Sequence, residues 1–208
     1  MSLKDISGNY DAIFSLGDLC LAAIQLRKNN LRPFAGVLDW VGSPTLPYVN
    51  RLLQNQFADF LNPHNLKPIK YLSQWDLYVL DEYYNIGFNH DFKTDKNTLT
   101  HLGGYPEVKE KYDRRIQRFL EKMTTSQRIL FVRTEGTFED VKELESILSG
   151  MVKHDFRILV VNHTEVNGIV EKSWPLEKVC VIELPNHDKW NANDYHWKTI
   201  LSGVHINV

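Results

Sequence analysis

Four short apolar runs, set between segments of helical spacing, limit the fold open to this chain more than any other feature. The runs cover Asp11–Leu16, Gln127–Val132, Phe156–Val161 and Lys178–Leu184. Their apolar character is near-continuous rather than alternating, which marks strands covered on both faces, as in parallel sheets. Leu21, Ala22, Ala23, Ile24 and Leu26 follow the first run at helical spacing, and Asn29-Asn30 stops that helix. A second helix is expected over Thr45–Phe57, with Leu46, Val49, Leu52 and Leu53 on one face. Val108, Tyr112, Ile116, Phe119 and Met123 share a helical face, as do Val141, Leu144, Ile147 and Leu148 behind a Thr137/Asp140 cap. Asp194–Leu201 reads as a terminal helix. This alternation predicts an α/β fold: a three-layer sandwich with a mostly parallel sheet, helices on both faces and right-handed crossovers. The 208 residues suit a single domain. Residues 61–102, with Pro63, Pro68 and many aromatics, interrupt the pattern and are expected to form an irregular, aromatic-rich insertion of short strands and loops.

Composition narrows the function classes. The chain is 43% hydrophobic and 24% charged with a net charge of -2, which offers no basic footprint for nucleic acid or an anionic membrane. The N-terminus lacks an apolar signal core, and no apolar stretch approaches the ~20 residues of a membrane span. Two cysteines in unlike surroundings, Cys20 after a glycine turn and Cys180 inside an apolar run, form no disulfide framework. A cytoplasmic protein is the expectation. Ser15-Leu16-Gly17-Asp18 carries one glycine and neither phosphate-binding fingerprint, and His187-Asp188 and His205 lack metal-ligand spacing. No cofactor and no metal are therefore expected.

Ligands of an open α/β sheet bind beyond the carboxyl ends of its strands. Those positions hold Gly17, Asp18 and Cys20; Arg133, Thr134 and Glu135; Asn162 and His163; and Asn186, His187 and Asp188, with Asp194 and His196 a little further on. Cysteine, histidines, carboxylates and an arginine are the groups used in nucleophilic acyl transfer. Asp18 reads as the helix N-cap, which sets Cys20 in the first turn, where N–H groups and the dipole favour thiolate while the Asp18 charge opposes it. His90-Asp91, between Phe88 and Phe92, is the tightest histidine–acid pair. On a regular strand its two side chains point to opposite faces, so Asp91 orients His90 only in a turn. His163, His187 and His196 stay open as rival bases. His196 late in the chain resembles the order of lipase-like hydrolases, although Leu19 stands where their serine belongs and Asn193 three residues before the histidine. Trp40, Trp75, Tyr83 and Tyr84 allow a different reading, a carbohydrate-related or other non-catalytic binding module. The stripe Lys111, Arg115, Arg118 and Lys122 reads as a solvated helix face.

Five segments, in order, resemble a bacterial family labelled putative papain-like cysteine peptidases. They are Ser15-Leu16-Gly17-Asp18-Leu19-Cys20, Leu38-Asp39-Trp40, His90-Asp91-Phe92, the stretch from Tyr112 to Phe119, and Leu130-Phe131-Val132-Arg133. The family pattern tends to have phenylalanine where Leu38 stands. The resemblance implies Cys20 as nucleophile, His90 as base and Asp91 as orienting acid. It implies structural or substrate-contacting roles for Asp39, Trp40 and Arg133. A peptide, glycan or small-molecule substrate is the partner then expected.

Overall fold

The structure, a computed structural model, describes residues 1–207. The chain opens with helix α1 (Leu3–Ile6), strands β1 (Gly8–Tyr10) and β2 (Ala12–Ser15), and helix α2 (Leu21–Lys28). Strand β3 (Val41–Gly42) and helix α3 (Leu46–Gln54) lead to strands β4 (Leu66–Tyr71), β5 (Asp76–Asp81) and β6 (Ile86–Lys93), then to a small hairpin of β7 (Asn97–Thr98) and β8 (His101–Leu102). Helix α4 (Tyr105–Thr125) brings the chain back to β9 (Arg128–Thr134), α5 (Phe138–Met151) and β10 (Asp155–Thr164). Strands β11 (Val170–Lys172) and β12 (Val179–Pro185), helix α6 (Asp194–Ile200) and strand β13 (Val204–Ile206) follow.

The fold is mixed α/β. The apolar runs form a five-stranded sheet in the order β11-β12-β10-β9-β2, in which β12, β10, β9 and β2 are parallel and β11 is antiparallel. The expectation of one mostly parallel sheet needs correction. A second sheet, β3-β6-β5-β4, is antiparallel throughout, and it is built largely from the segment read as irregular. The reason lies in the pattern of β5. Leu77, Val79 and Asp81 are buried while Asp76, Tyr78 and Leu80 are half-buried, the period-2 signature of a strand with one face on the core.

Apolar side chains fill both faces of the parallel strands. On one face Phe14, Phe131, Ile158 and Val160 pack with α3, α4, α5 and the antiparallel sheet. On the other, Leu130, Val132, Leu159, Val161 and Ile182 pack with α1, α2 and α6. Thr137 caps α5 as predicted, accepting from the Asp140 N–H at 3.2 Å. The basic stripe on α4 is half-buried rather than solvated. Arg115 lies over the Tyr112 ring, Arg118 lies over Phe34, and Lys111 pairs with Asp91. Among the described residues no helix is long and apolar enough to cross a membrane.

Candidate functional site

The loop from β2 to α2 is pinned by buried polar groups. Gly17 has φ +82°, and a Cβ there would stand 2.4 Å from Ser43 Oγ, so only glycine fits. Asp18, a non-glycine residue, also has φ +82°. Its N–H donates to Ser43 Oγ (3.1 Å), and the Ser43 N–H donates to its carbonyl (2.7 Å). Arg133, fully buried at the end of β9, holds this arrangement from beneath. Its guanidinium donates to the carbonyls of Leu16 (2.9 Å), Ser43 (2.8 Å) and Glu135 (3.1 Å) and to Ser43 Oγ (3.1 Å). Burial brings its pKa down to about 10 against the opposing charges of Asp18, Glu135 and Asp140. These contacts tie the end of β9 to the loop between Leu16 and Ser43. Ser43, its partner, carried no signal in the sequence.

Cys20 is itself the N-cap of α2, with φ -72° and ψ -6°. This corrects the expectation that Asp18 caps the helix. The Asp18 carboxylate makes no hydrogen bond among the described residues, and burial pushes its pKa up. The Cys20 thiol is half-buried and, among the described residues, hydrogen-bonds to no other residue. Burial pushes it up, and Asp39 and Asp91, not Asp18, push it further. The first intrahelical bond runs from the Ile24 N–H to the Cys20 carbonyl (2.9 Å), and no acceptor among the described residues serves the N–H groups of Leu21, Ala22 and Ala23. Cys180 is a buried core residue whose thiol burial raises to about 12.

The two carboxylates nearest in effect to Cys20 are both engaged. Asp39 accepts from Arg32 Nε (2.6 Å) and from the Gly36 N–H (2.7 Å). Trp40 lies under the guanidinium groups of Arg32 and Arg27, at 5.0 and 5.6 Å from its ring centre. Asp91 accepts from Lys111 and from the Tyr112 hydroxyl (3.0 Å). Burial, then Asp91, drives the Tyr112 hydroxyl well above its usual range. His90 points to solvent, and among the described residues it is hydrogen-bonded neither to Asp91 nor to Cys20. A β-bulge explains the geometry. Leu77 pairs with Phe92 and Val79 with Phe88, so Tyr78 alone faces Asn89, His90 and Asp91. Unbroken alternation would turn His90 inward with Phe88 and Phe92. The bulge sends it outward and turns Asp91 toward α4.

A cavity of about 370 Å³ opens beside these residues, lined by Leu19, Gly42, Pro44, Lys70, Leu72, Tyr78, Asn85 and Asn89. Leu19 precedes Cys20, and Asn89 precedes His90. A second cavity, about 490 Å³, shares Pro44 and runs along Glu135, Gly136, Thr137, Asp140, Asn162 and Thr164. Beside it the parallel sheet brings together a second histidine–carboxylate pair. His163 Nδ1 lies 2.6 Å from Glu135 Oε1, and Lys189 Nζ lies 3.9 Å from the same oxygen. The His163 ring is buried, and its Nε2 has no partner among the described residues. Burial raises the Glu135 carboxyl, but the bond from His163 and the charges of His163 and Lys189 leave it below the usual range. His187 is exposed, and neither His187 nor His196 bonds to any of these groups. The aromatics of the binding-module reading do not all reach the surface: Tyr84 is buried, whereas Trp75 is 66% exposed. Among the described residues no group of three or more histidine, cysteine or carboxylate side chains could share a metal ion.

Comparison with known proteins adds a family to this geometry. An uncharacterized protein, R408, from Acanthamoeba polyphaga mimivirus is 26% identical over 219 residues, which cover 92% of this chain and 97% of that protein. That relative is viral, so it lends no support to a specifically bacterial origin. No solved structure matches. The family model described as "Putative papain-like cysteine peptidase (DUF1796)" matches residues 11–166, from the start of β2 into the segment after β10. That span takes in the clamped loop, Cys20, the bulge and Arg133, and the chain belongs to this family.

Proposed function

We propose that the chain is a cysteine-nucleophile hydrolase or acyl transferase of the peptidase type, with Cys20 as nucleophile and His90 as base. The observation that carries this reading is the cavity beside them: Cys20 and His90 do not line it, but its wall contains Leu19 and Asn89, their chain neighbours. The uncapped N–H groups at the start of α2 support it as donors for an oxyanion. The raised thiol argues for base-assisted attack rather than a resting thiolate–imidazolium pair. In that sequence the sulfur bonds to the substrate carbonyl carbon while its proton passes to the His90 imidazole. The oxyanion meets the N–H groups of Leu21–Ala23. Collapse of the adduct breaks the bond to the leaving amine, which takes the proton from His90. Water then cleaves the thioester, releasing the acid and restoring the thiol.

In this reading Asp91 holds the bulge that presents His90, Asp39 and Arg133 hold the loops around Cys20, and Trp40 borders the site. The free thiols of Cys20 and Cys180 agree with a reducing, cytoplasmic setting. A peptidyl fluoromethyl ketone tests the assignment. It should alkylate Cys20 and spare Cys180, and Cys20→Ser should abolish labelling. Loss of a general base costs about 10²- to 10⁴-fold, so His90→Ala should slow labelling by at least the lower figure. Labelling at the same rate in His90→Ala removes His90 from the mechanism, and no labelling of Cys20 removes the proposal.

A further inference from the structure

We propose that the cavity between Leu19 and Tyr78 receives an apolar side chain of an extended peptide substrate, and that Gly42 on its wall sets the size of that side chain. The inference gives a substrate class to the site at Cys20, and in that sense it rests on the reading above. The wall is chemically specific. Leu19, Pro44, Leu72 and the Tyr78 ring are apolar or aromatic, and Asn85 and Asn89 supply carboxamides. No carboxylate lines the cavity, and its single charged group, Lys70, forms no ion pair among the described residues. Such a wall accepts an apolar side chain and turns away a basic one. A volume of about 370 Å³ sits near the lower end of ligand cavities, enough for one large side chain with its backbone.

The backbone of the substrate has its own partners. The side chain of Asn89 makes no hydrogen bond among the described residues, so its carboxamide is free to pair with a peptide group. Strand β3, which contributes Gly42, is the outermost strand of the antiparallel sheet on this side. An extended segment beside an edge strand is a recurring mode of peptide recognition.

Two glycines face each other here, Gly42 on β3 and Gly87 on β6. They are absent of side chains for different reasons. A Cβ on Gly87 would stand 2.4 Å from the Tyr78 hydroxyl oxygen and 2.5 Å from a ring carbon, so Gly87 is required for Tyr78 to lie flat against β6. A Cβ on Gly42 would meet only Asn89 Nδ2 and the Gly87 carbonyl oxygen, each at 3.8 Å, an ordinary contact. Its φ is not among the positive ones. The fold therefore tolerates a methyl group at 42, and what that methyl would take up is space in the cavity.

The test separates this proposal from the assignment of Cys20. In a Cys20→Ser background, binding of acetyl-Ala-Leu-Ala-amide, and of its glutamyl and lysyl counterparts, is measured by NMR titration. The leucyl peptide should bind most tightly and the lysyl peptide most weakly. Filling part of an apolar pocket costs about tenfold or more, so Gly42→Ala should weaken the leucyl peptide by that factor with an unchanged melting temperature. Lys70→Glu, on the exposed rim, should bring the lysyl peptide above the glutamyl one. Equal binding of the three peptides, no binding, or binding indifferent to Gly42→Ala overturns the proposal. Peptide binding that follows these rules, together with a Cys20 that no acyl electrophile labels, upholds the cavity and discards the nucleophile. Labelling of Cys20 with no preference among the three side chains does the reverse.

Discussion

At the residue scale the chemistry of Cys20 is set by its neighbours rather than by its helix. A helix start should ease ionisation, yet burial outweighs it, and the charges of Asp39 and Asp91 add to burial. The folded thiol is thus harder to ionise than the unfolded one. Its neutral form adds stability below the unfolded pKa, and that contribution is lost as pH rises toward the folded value. Iodoacetamide alkylation followed across pH should give a curve displaced to the alkaline side of a free thiol. Cys180, raised to about 12, stays silent. Asp91→Asn should move the curve back toward the free-thiol position, because it removes one of the two opposing charges. A plateau of full reactivity already below neutral pH would contradict base-assisted attack and point to a resting ion pair. Asp18 is another case of neighbours outweighing local sequence. It is buried, left-handed and, among the described residues, without a hydrogen-bond partner for its carboxylate, so Asp18→Asn should stabilise the fold by about 1 kcal/mol, the scale of a relieved buried polar group. Asparagine keeps the same backbone conformation readily. Because the folded Asp18 is harder to ionise, the gain should shrink as pH falls through its titration, and an unchanged or lowered melting temperature at neutral pH would refute the estimate.

At the level of elements, the loop that carries Cys20 depends on side chains more than a hundred residues away in sequence. Arg133→Met would leave the carbonyls of Leu16, Ser43 and Glu135 without their donor. Each stranded buried group costs about 1–3 kcal/mol, so a total loss of at least about 3 kcal/mol by urea unfolding is expected. Arg133→Lys should recover little, since one ammonium cannot span the fork of acceptors. A loss below about 1 kcal/mol in Arg133→Met would mean that Ser43 and Thr134 hold the loop without it. The sequence made the strands legible because β2, β9, β10 and β12 are buried on both faces and read as unbroken apolar runs. It made α5 legible because Thr137 and Asp140 stand at capping distance. It hid the antiparallel sheet, in which β4, β5 and β6 are separated by turns rather than helices and a bulge falsifies simple alternation at His90. The same bulge explains why Asp91 could be paired with His90 by adjacency and yet face Tyr112. Glu135 and His163 were visible only as residues at two strand ends; their contact follows from the parallel register of β9 and β10, which no local pattern encodes.

At the scale of the whole molecule, two sheets of different kinds are joined by one core, and the proposed site lies where they meet. Leu77 and Val79 of β5 belong to the same buried cluster as Ile158 and Val160 of β10. The link is a chain of aromatic contacts. Phe131 meets Phe119 at 6.2 Å between ring centres, Phe119 meets Phe57 at 5.3 Å, and Phe57 meets Phe60 at 6.4 Å. Phe60 then reaches Phe88 at 5.9 Å and Tyr112 at 5.8 Å, which carries the contact into the antiparallel sheet and to the partner of Asp91. On this face the two sheets share one core, because α4 packs Phe119 against the parallel sheet and Tyr112 against the antiparallel one. The chain should therefore unfold in a single cooperative step, with the amides of β5 and β10 exchanging hydrogen through the same global opening. Phe119→Ala should lower stability by about 3–5 kcal/mol and accelerate exchange in both sheets equally, since it removes the ring on which both depend. Faster exchange in β10 alone, or two resolved melting transitions, would show that the antiparallel sheet holds its structure independently. A site walled by Leu19 from the loop after β2 of one sheet and by Tyr78 from β5 of the other would then have a movable seam through its middle. A single transition makes that wall rigid, which is the condition for Gly42 to act as a gauge of side-chain size.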